Sequence, residues 1–183
     1  MYTYRHFEKQ CPDATVPEIL RTNLTSTVLT LLNLGIKNVI KFEFIENPEK
    51  QNLLFALKRL FLLKAIDKDA RLTELGIEMN KFPLEPTYAK VLLASKFYKC
   101  EDEMIILVSI LSTENIWMPI SQGDEERFNK LENVRRNFAS HYSDHLSLVN
   151  VYKEWRTNRY STKWLQDNFL LIRGMKQARK IRD

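Results

Sequence analysis

Ser143-Asp144-His145-Leu146-Ser147-Leu148-Val149-Asn150-Val151-Tyr152 is the stretch on which the fold of this 183-residue chain turns. The side chain of Ser143 or Asp144 can accept hydrogen bonds from the free N–H groups of a first helical turn, so a helix is expected to start here. Leu146, Val149 and Lys153 fall on one line at helical spacing, and Leu148, Tyr152 and Trp155 on a second. A helix with two apolar lines is covered on more than one side. The segment 144–157 is therefore expected to be a central helix with neighbours packed around it. Taken alone, that pattern fits the core helix of any bundle.

The flanking segments supply the neighbours. Asp124 to Phe138 reads as a charged helix with Phe128, Leu131 and Val134 facing inward. Asn158 to Thr162 turns the chain, and helical segments at Lys163–Phe169 and Leu170–Arg182 finish it. Upstream, Met104 to Leu111 is apolar on all sides, which marks a deeply buried helix over 102–112. Cys100-Glu101-Asp102 breaks the chain before it, with carboxylates suited to a helix N-terminus. Glu101, Asp102 and Glu103 are best read as that helix start. Thr113 to Pro119 is a loop. A further helix over 86–99 is expected to turn Tyr88, Val91, Leu92, Ala94, Ser95 and Tyr98 inward.

The N-terminal half has a different layout. Residues 1–16 read as an irregular lead-in, with a short strand or extended arm at Met1–Phe7 and a turn bracketed by Pro12 and Pro17. Pro17 suits the first position of a helix running from Glu18 to Leu34, with Ile19, Leu20, Leu24, Val28, Leu31 and Leu32 inside and Gly35 at its end. Ile36 to Asn47 is either a short helix and loop or a half-buried strand. A helix over 49–64 follows Pro48, with the stripe Leu53, Leu54, Leu57, Leu60, Phe61 and Leu63. Ile66 and Leu72 flank a charged turn, as in a small hairpin, and Thr73 caps a helix over Glu74–Asn80 that Pro83 closes. Helix, helix, hairpin, helix is the layout of a winged-helix module. The expected fold is mainly α: a winged-helix domain with a small β-hairpin at 17–85, then a helical bundle at 86–183.

Composition narrows the function. No two of the four glycines are near each other, so no phosphate-cradling loop of the Walker or dinucleotide type can be written. Cys11 and Cys100 have no close Cys partner and are expected to be reduced thiols. Apolar runs fall short of a membrane span and no signal peptide is visible, which points to the cytosol or nucleus. Residues 1–123 balance fifteen basic against fifteen acidic side chains. Residues 124–183 hold thirteen basic and eight acidic ones, so they carry the whole net charge of +5. A basic C-terminal face suits an anionic partner, with nucleic acid first in line, or is a solvated helix surface.

Catalytic constellations are hard to assemble. His141 and His145 stand four apart, but the turn at Ser143-Asp144 breaks the metal-binding geometry and no third ligand is near. No Ser/His/Asp or Cys/His set can be named. Trp155-Arg156, Arg159-Tyr160 and Lys163-Trp164 interleave rings and charges as single-strand nucleic-acid surfaces do, and the same rings serve equally as core. Trp155 is expected in the core.

The order of motifs closely resembles the DEAH-box RNA helicases. The residues that carry the likeness are Thr15 to Leu24, Phe82-Pro83-Leu84-Glu85-Pro86, Leu111-Ser112, Asp144 to Tyr152, Asn168-Phe169 and Lys180-Ile181-Arg182. It covers essentially all 183 residues in order. The resemblance implies a winged-helix domain at 17–85 and a ratchet-like domain at 86–183. Residues 1–16 would be the exit from a RecA-like domain, with an oligonucleotide-binding-fold domain next to follow. The RecA-like pair, which holds ATP and Mg in the parent protein, is not in this sequence. The chain is thus expected to be a helicase fragment without cofactor or metal of its own and without ATPase activity alone.

The resemblance also implies that the ratchet-like domain lines a channel for single-stranded RNA, while the winged helix couples it to the motor. The family sets a Ser after the buried helix against RNA, which Ser112 matches, and an Arg before a Pro in the next loop. That second position falls at or near Met118, a departure from the pattern. The candidate RNA-facing residues are Ser112, Asn115, Trp117, Arg127, Lys130, Arg135, Arg136, Asp144, His145 and Arg156. Implied partners are single-stranded RNA, the parent's own RecA-like and oligonucleotide-binding-fold domains and a G-patch protein, with no membrane. The implied location is nuclear, in nucleoplasm or nucleolus, or else cytoplasmic. The rival reading is a protein-interaction module that docks a partner on the winged helix. A DNA-binding winged helix fits poorly, because the recognition helix Glu49–Lys64 has Lys58, Arg59 and Lys64 but is otherwise apolar and expected to be buried.

Overall fold

The computed structural model describes residues 15–113, 115–120 and 124–183. Expectations for the lead-in at 1–14, with Cys11 and Pro12, and for Glu114 and Gly123 lie outside these residues. The described chain is mainly α and divides into two compact units between Lys90 and Val91. No described helix is long and apolar enough to cross a membrane.

In the first unit, the single helix expected from Glu18 to Leu34 is two: α1 (Glu18–Arg21) and α2 (Thr25–Asn33). The break has a local cause. Asn23 Oδ1 accepts a hydrogen bond from the Thr25 N–H at 2.9 Å, which starts a new helix, and Thr22 is extended with its hydroxyl donating to the Glu18 carbonyl. Beyond it Leu24, Val28 and Leu29 are buried. Gly35, at φ +91°, closes α2 in the left-handed conformation while the Ile36 N–H reaches back to Leu31 O. Ile36 to Asn47 is loop around a 3₁₀ turn at Val39–Lys41, without a strand.

Helix α3 (Lys50–Leu62) packs on α2 through Leu53, Ala56 and Leu60. The expected stripe is rotated: Leu54 and Phe61 lie outside, with Phe55 and Leu62 beside them. The apolar residues of α3 surround most of its circumference, and only one side is covered, so periodicity could not select the face. Of the six residues expected inside, Leu54 and Phe61 are exposed, while Leu53 and Leu60 are buried.

The charged turn is a hairpin reduced to a single antiparallel bridge, Ile66 to Leu72. Asp67 Oδ1 accepts the N–H groups of Asp69 and Arg71, both at 2.9 Å, which folds the tip onto itself. Thr73 then begins α4 (Glu74–Asn80): its Oγ1 accepts the Gly76 N–H at 3.1 Å and donates to the Ala65 carbonyl at 3.0 Å. α4 packs on α2.

Helix α5 (Pro86–Tyr98) contains the division between the units. Its buried positions include Ala89 and Ser95, whereas Ala94 and Tyr98, expected inside, are exposed. Its apolar residues again surround the helix.

The second unit is built on α8 (Asp144–Thr157), which has the bounds read from the sequence. Ser143 caps it by accepting the His145 N–H. Its Val149, Val151, Tyr152 and Trp155 are buried among α6 (Glu101–Leu111), α7 (Glu125–Phe138), α9 (Thr162–Asp167) and α10 (Ile172–Arg182). α6 packs on both α8 and α10. Trp155 Nε1 donates to the Ser161 carbonyl at 3.2 Å. The Tyr152 hydroxyl is buried without a hydrogen-bond partner among the described residues, and burial pushes its pKa up to about 12, so the phenol stays neutral.

Phe128 is a correction: it is exposed, while Leu131 and Phe138 are buried. α7 is anchored at its far end, where Asn150 Nδ2 donates to the Phe138 carbonyl at 3.1 Å. Its first turn, which carries Phe128, stays in solvent.

Candidate nucleic-acid interface

The loop after α6 is sewn to the segment that leads into α10. Leu171 N–H donates to Ile116 O at 2.7 Å, Met118 N–H donates to Phe169 O at 2.9 Å, and Trp117 pairs with Leu170 in an antiparallel bridge. This brings Ser112 and Asn115 against Arg173, Gly174 and Gln177 of α10, although the two segments are far apart in sequence. Together they line an open groove of about 460 Å³. Gly174 allows the approach, since a Cβ there would stand 3.3 Å from the Asn115 carbonyl oxygen.

Ser112 closes α6, its N–H donating to Val108 O, and is exposed. Asn115 is exposed too, with its Oδ1 accepting the Trp117 N–H at 3.0 Å. Trp117 is half-buried against the core, and the Arg135 guanidinium lies 5.1 Å from its ring centroid. Arg135 also reaches Glu132 at 2.8 Å, so both residues have structural work. Arg127, Lys130 and Arg136 are exposed on α7, with Lys130 paired to Glu126 at 2.6 Å. Asp144 and His145 are exposed in the first turn of α8. No group of three His, Cys, Asp or Glu side chains that could hold a metal ion occurs among the described residues.

Arg156 stands apart from the groove residues. Its guanidinium lies 3.1 Å from Asp102, which also receives Arg182 at 2.9 Å, and Lys153 reaches Glu103 at 2.7 Å. The acidic start of α6 thus neutralises part of the basic excess within the fold. Sequence reading took these carboxylates as a helix start and did not pair them with cations fifty to eighty residues away. Arg173 and Gln177 were also missed as site residues. Their i, i+4 spacing put them on one helix face, but nothing local said which face met Ser112.

The paired carboxylates give a pH dependence. The Arg182 guanidinium, with Arg156, holds the Asp102 carboxyl below its ordinary value of 3.8, and Lys153 holds Glu103 below 4.5. Groups with depressed folded pKa values stabilise the fold fully above their ordinary values and lose that contribution as pH falls through the depressed ones. Asp102→Asn is expected to remove part of the acid-side loss in a plot of thermal midpoint against pH. At neutral pH it should cost less than about 1 kcal/mol, because the pair is well exposed and screened. An unchanged acid limb would contradict this.

Two family models match the chain. The helicase associated domain (HA2), winged-helix, covers residues 56–84, and the helicase associated domain (HA2), ratchet-like, covers 85–148. The chain is also similar to the pre-mRNA-splicing factor ATP-dependent RNA helicase prp22 of Schizosaccharomyces pombe. The two are 36% identical over 182 residues, all of this chain and 15% of that protein. The two family matches are consecutive, and the similarity to the helicase extends over the whole chain. The chain belongs to the helicase-associated family, and carries the winged-helix and ratchet-like region of the DEAH-box ATP-dependent RNA helicases.

Proposed function

We propose that this chain holds single-stranded RNA for an ATP-dependent RNA helicase. The ratchet-like unit forms one wall of the RNA channel, and the winged-helix unit couples that wall to ATP-hydrolysing RecA-like domains of the same protein. ATP and Mg bind to those domains, and the present residues do not hydrolyse ATP by themselves. The work is nuclear, in pre-mRNA splicing. The observation that carries the reading is identity along the whole chain to a protein named as a splicing RNA helicase. An open groove lined by Ser112, Asn115 and Arg173 supports it.

A second reading has its own observation. Leu54, Phe55, Phe61 and Leu62 of α3 are each about half exposed or more and form two adjacent pairs two turns apart, which makes an apolar patch suited to a protein partner, a G-patch protein among them. Charge reversal separates the two readings. Arg135 and Arg156 serve internal ion pairs, so the informative site is Arg136, exposed and without an ion pair among the described residues. Arg136→Glu is expected to weaken oligo-U binding several-fold at low salt, measured by fluorescence anisotropy. No binding of oligo-U by the parent chain even at low salt would favour the protein-docking reading.

A further inference from the structure

We infer that Arg173 and Gln177 of α10, facing Ser112 and Asn115 across the groove, form a subsite for one backbone phosphate of single-stranded RNA. The inference rests on the RNA-holding reading and adds residues and a chemical role to it. Arg173 is exposed and makes no ion pair among the described residues, whereas Lys153, Arg156, Arg179 and Arg182 are each engaged with a carboxylate. The side chains of Ser112 and Gln177 likewise have no hydrogen-bond partner among the described residues.

The chemistry of the lining selects the ligand. Among the described residues that line the groove, Arg173 is the one charged side chain, and it is positive. One guanidinium supplies a single positive charge with a fork of N–H donors. The Ser112 hydroxyl and the amides of Gln177 and Asn115 supply neutral donors. One cation with several neutral donors matches a phosphodiester, which carries one negative charge and two free oxygens. A polyphosphate would call for more charge. No aromatic ring is among the described residues that line the groove, so they offer a base no stacking platform, and the contact falls on the sugar–phosphate chain. Gly174 keeps the floor low beside the Asn115 backbone, where a larger residue would crowd it.

The test uses this chain with fluorescein-labelled oligo-U and oligo-A of equal length across a salt series. Loss of one phosphate contact removes the release of about 0.7 counterion from a single strand. Arg173→Ala is therefore expected to flatten the log–log salt slope by about 0.7 and to weaken binding roughly fivefold near 0.1 M salt. The loss should be the same for both oligonucleotides, because phosphates carry no base identity. Arg173→Lys keeps the charge and should retain the parent slope. Gln177→Ala should weaken binding less and leave the slope alone. Arg173 is exposed, so these variants should keep the parent's thermal midpoint.

The outcomes separate the two claims. If Arg173→Ala binds as the parent does while Arg136→Glu binds more weakly, the groove is not a phosphate subsite and the RNA-holding reading stands. A loss confined to one oligonucleotide would also overturn the subsite, since it would mean base contact. If the parent chain binds neither oligonucleotide at low salt, both claims fall together.

Discussion

Trp155→Ala is expected to lower the stability of the second unit by about 3–5 kcal/mol, the range for emptying a large aromatic site in a packed core. Trp155 is 1% exposed, in the last turn of α8 and within the core cluster of this unit. Its ring meets Tyr152 and Tyr160 edge-on, at 5.7 and 5.0 Å between centroids. Removing it empties the contact between α8 and the turn before α9. It also leaves the Ser161 carbonyl without the indole N–H that it accepts, and an unsatisfied buried acceptor adds to the cost. Single domains are stable by about 5–15 kcal/mol, so this one change would bring the unit close to unfolding. Urea denaturation followed by near-ultraviolet circular dichroism should show a midpoint far below that of the parent chain. A shift of under about 1 kcal/mol would mean that α8 is not the centre of this unit.

The second large effect opposes helix propensity. Gly76 lies in the first turn of α4, and glycine there is less favourable than alanine by about 1 kcal/mol. Propensity alone predicts that Gly76→Ala stabilises the protein. The packing predicts the reverse. A Cβ at position 76 would collide with the Ala65 carbonyl oxygen and would sit 2.9 Å from Leu72 Cδ1. That carbonyl also accepts from the Thr73 N–H and the Thr73 hydroxyl, the two bonds that tie the charged turn to the start of α4. The backbone must shift and both bonds must lengthen. Gly76→Ala is expected to destabilise the first unit by about 1–3 kcal/mol or more, as for other overpacked sites. Thermal unfolding settles the sign: a raised midpoint would show that the turn yields easily, and that the bridge between Ile66 and Leu72 does not fix the wing.

The parts of the fold that could be read from the sequence are those that local chemistry decides. Ser143 and Thr73 accept the hydrogen bonds that start α8 and α4, and Asp124 does the same for α7. Helix ends were harder, because this chain often closes helices without glycine. Lys64, Lys99 and Phe169 take the left-handed conformation, with φ of 59°, 55° and 55°, and the next residue's N–H reaches back to the last turn. With no glycine to mark these ends, only the geometry reveals them. The break at Asn23 was missed because an apolar pattern continued across it.

The candidate interface was less legible, for a different reason. Ser112 and Asn115 could be named through family likeness, yet Arg173 and Gln177 join them only because Ile116 and Met118 pair with the chain around Phe169 and Leu171. Such long-range pairing leaves no periodic trace. The same holds for Arg156, a plausible RNA contact by charge and neighbours, which the fold assigns to Asp102. A basic run in sequence does not say which cations face solvent. Here Lys153, Arg156 and Arg182 pair with carboxylates, Arg173 lines the groove, and Lys163, Lys176 and Lys180 are exposed.

The measurement that tests the central claim most directly is fluorescence anisotropy of this chain with labelled oligo-U, from low to physiological salt. The account predicts weak binding whose log affinity falls linearly with log salt, with a slope near −0.7 for each phosphate engaged and little difference between oligo-U and oligo-A. No binding even at the lowest salt would contradict it. The grip on RNA would then lie elsewhere in the helicase, and this chain would serve as a coupling and docking unit.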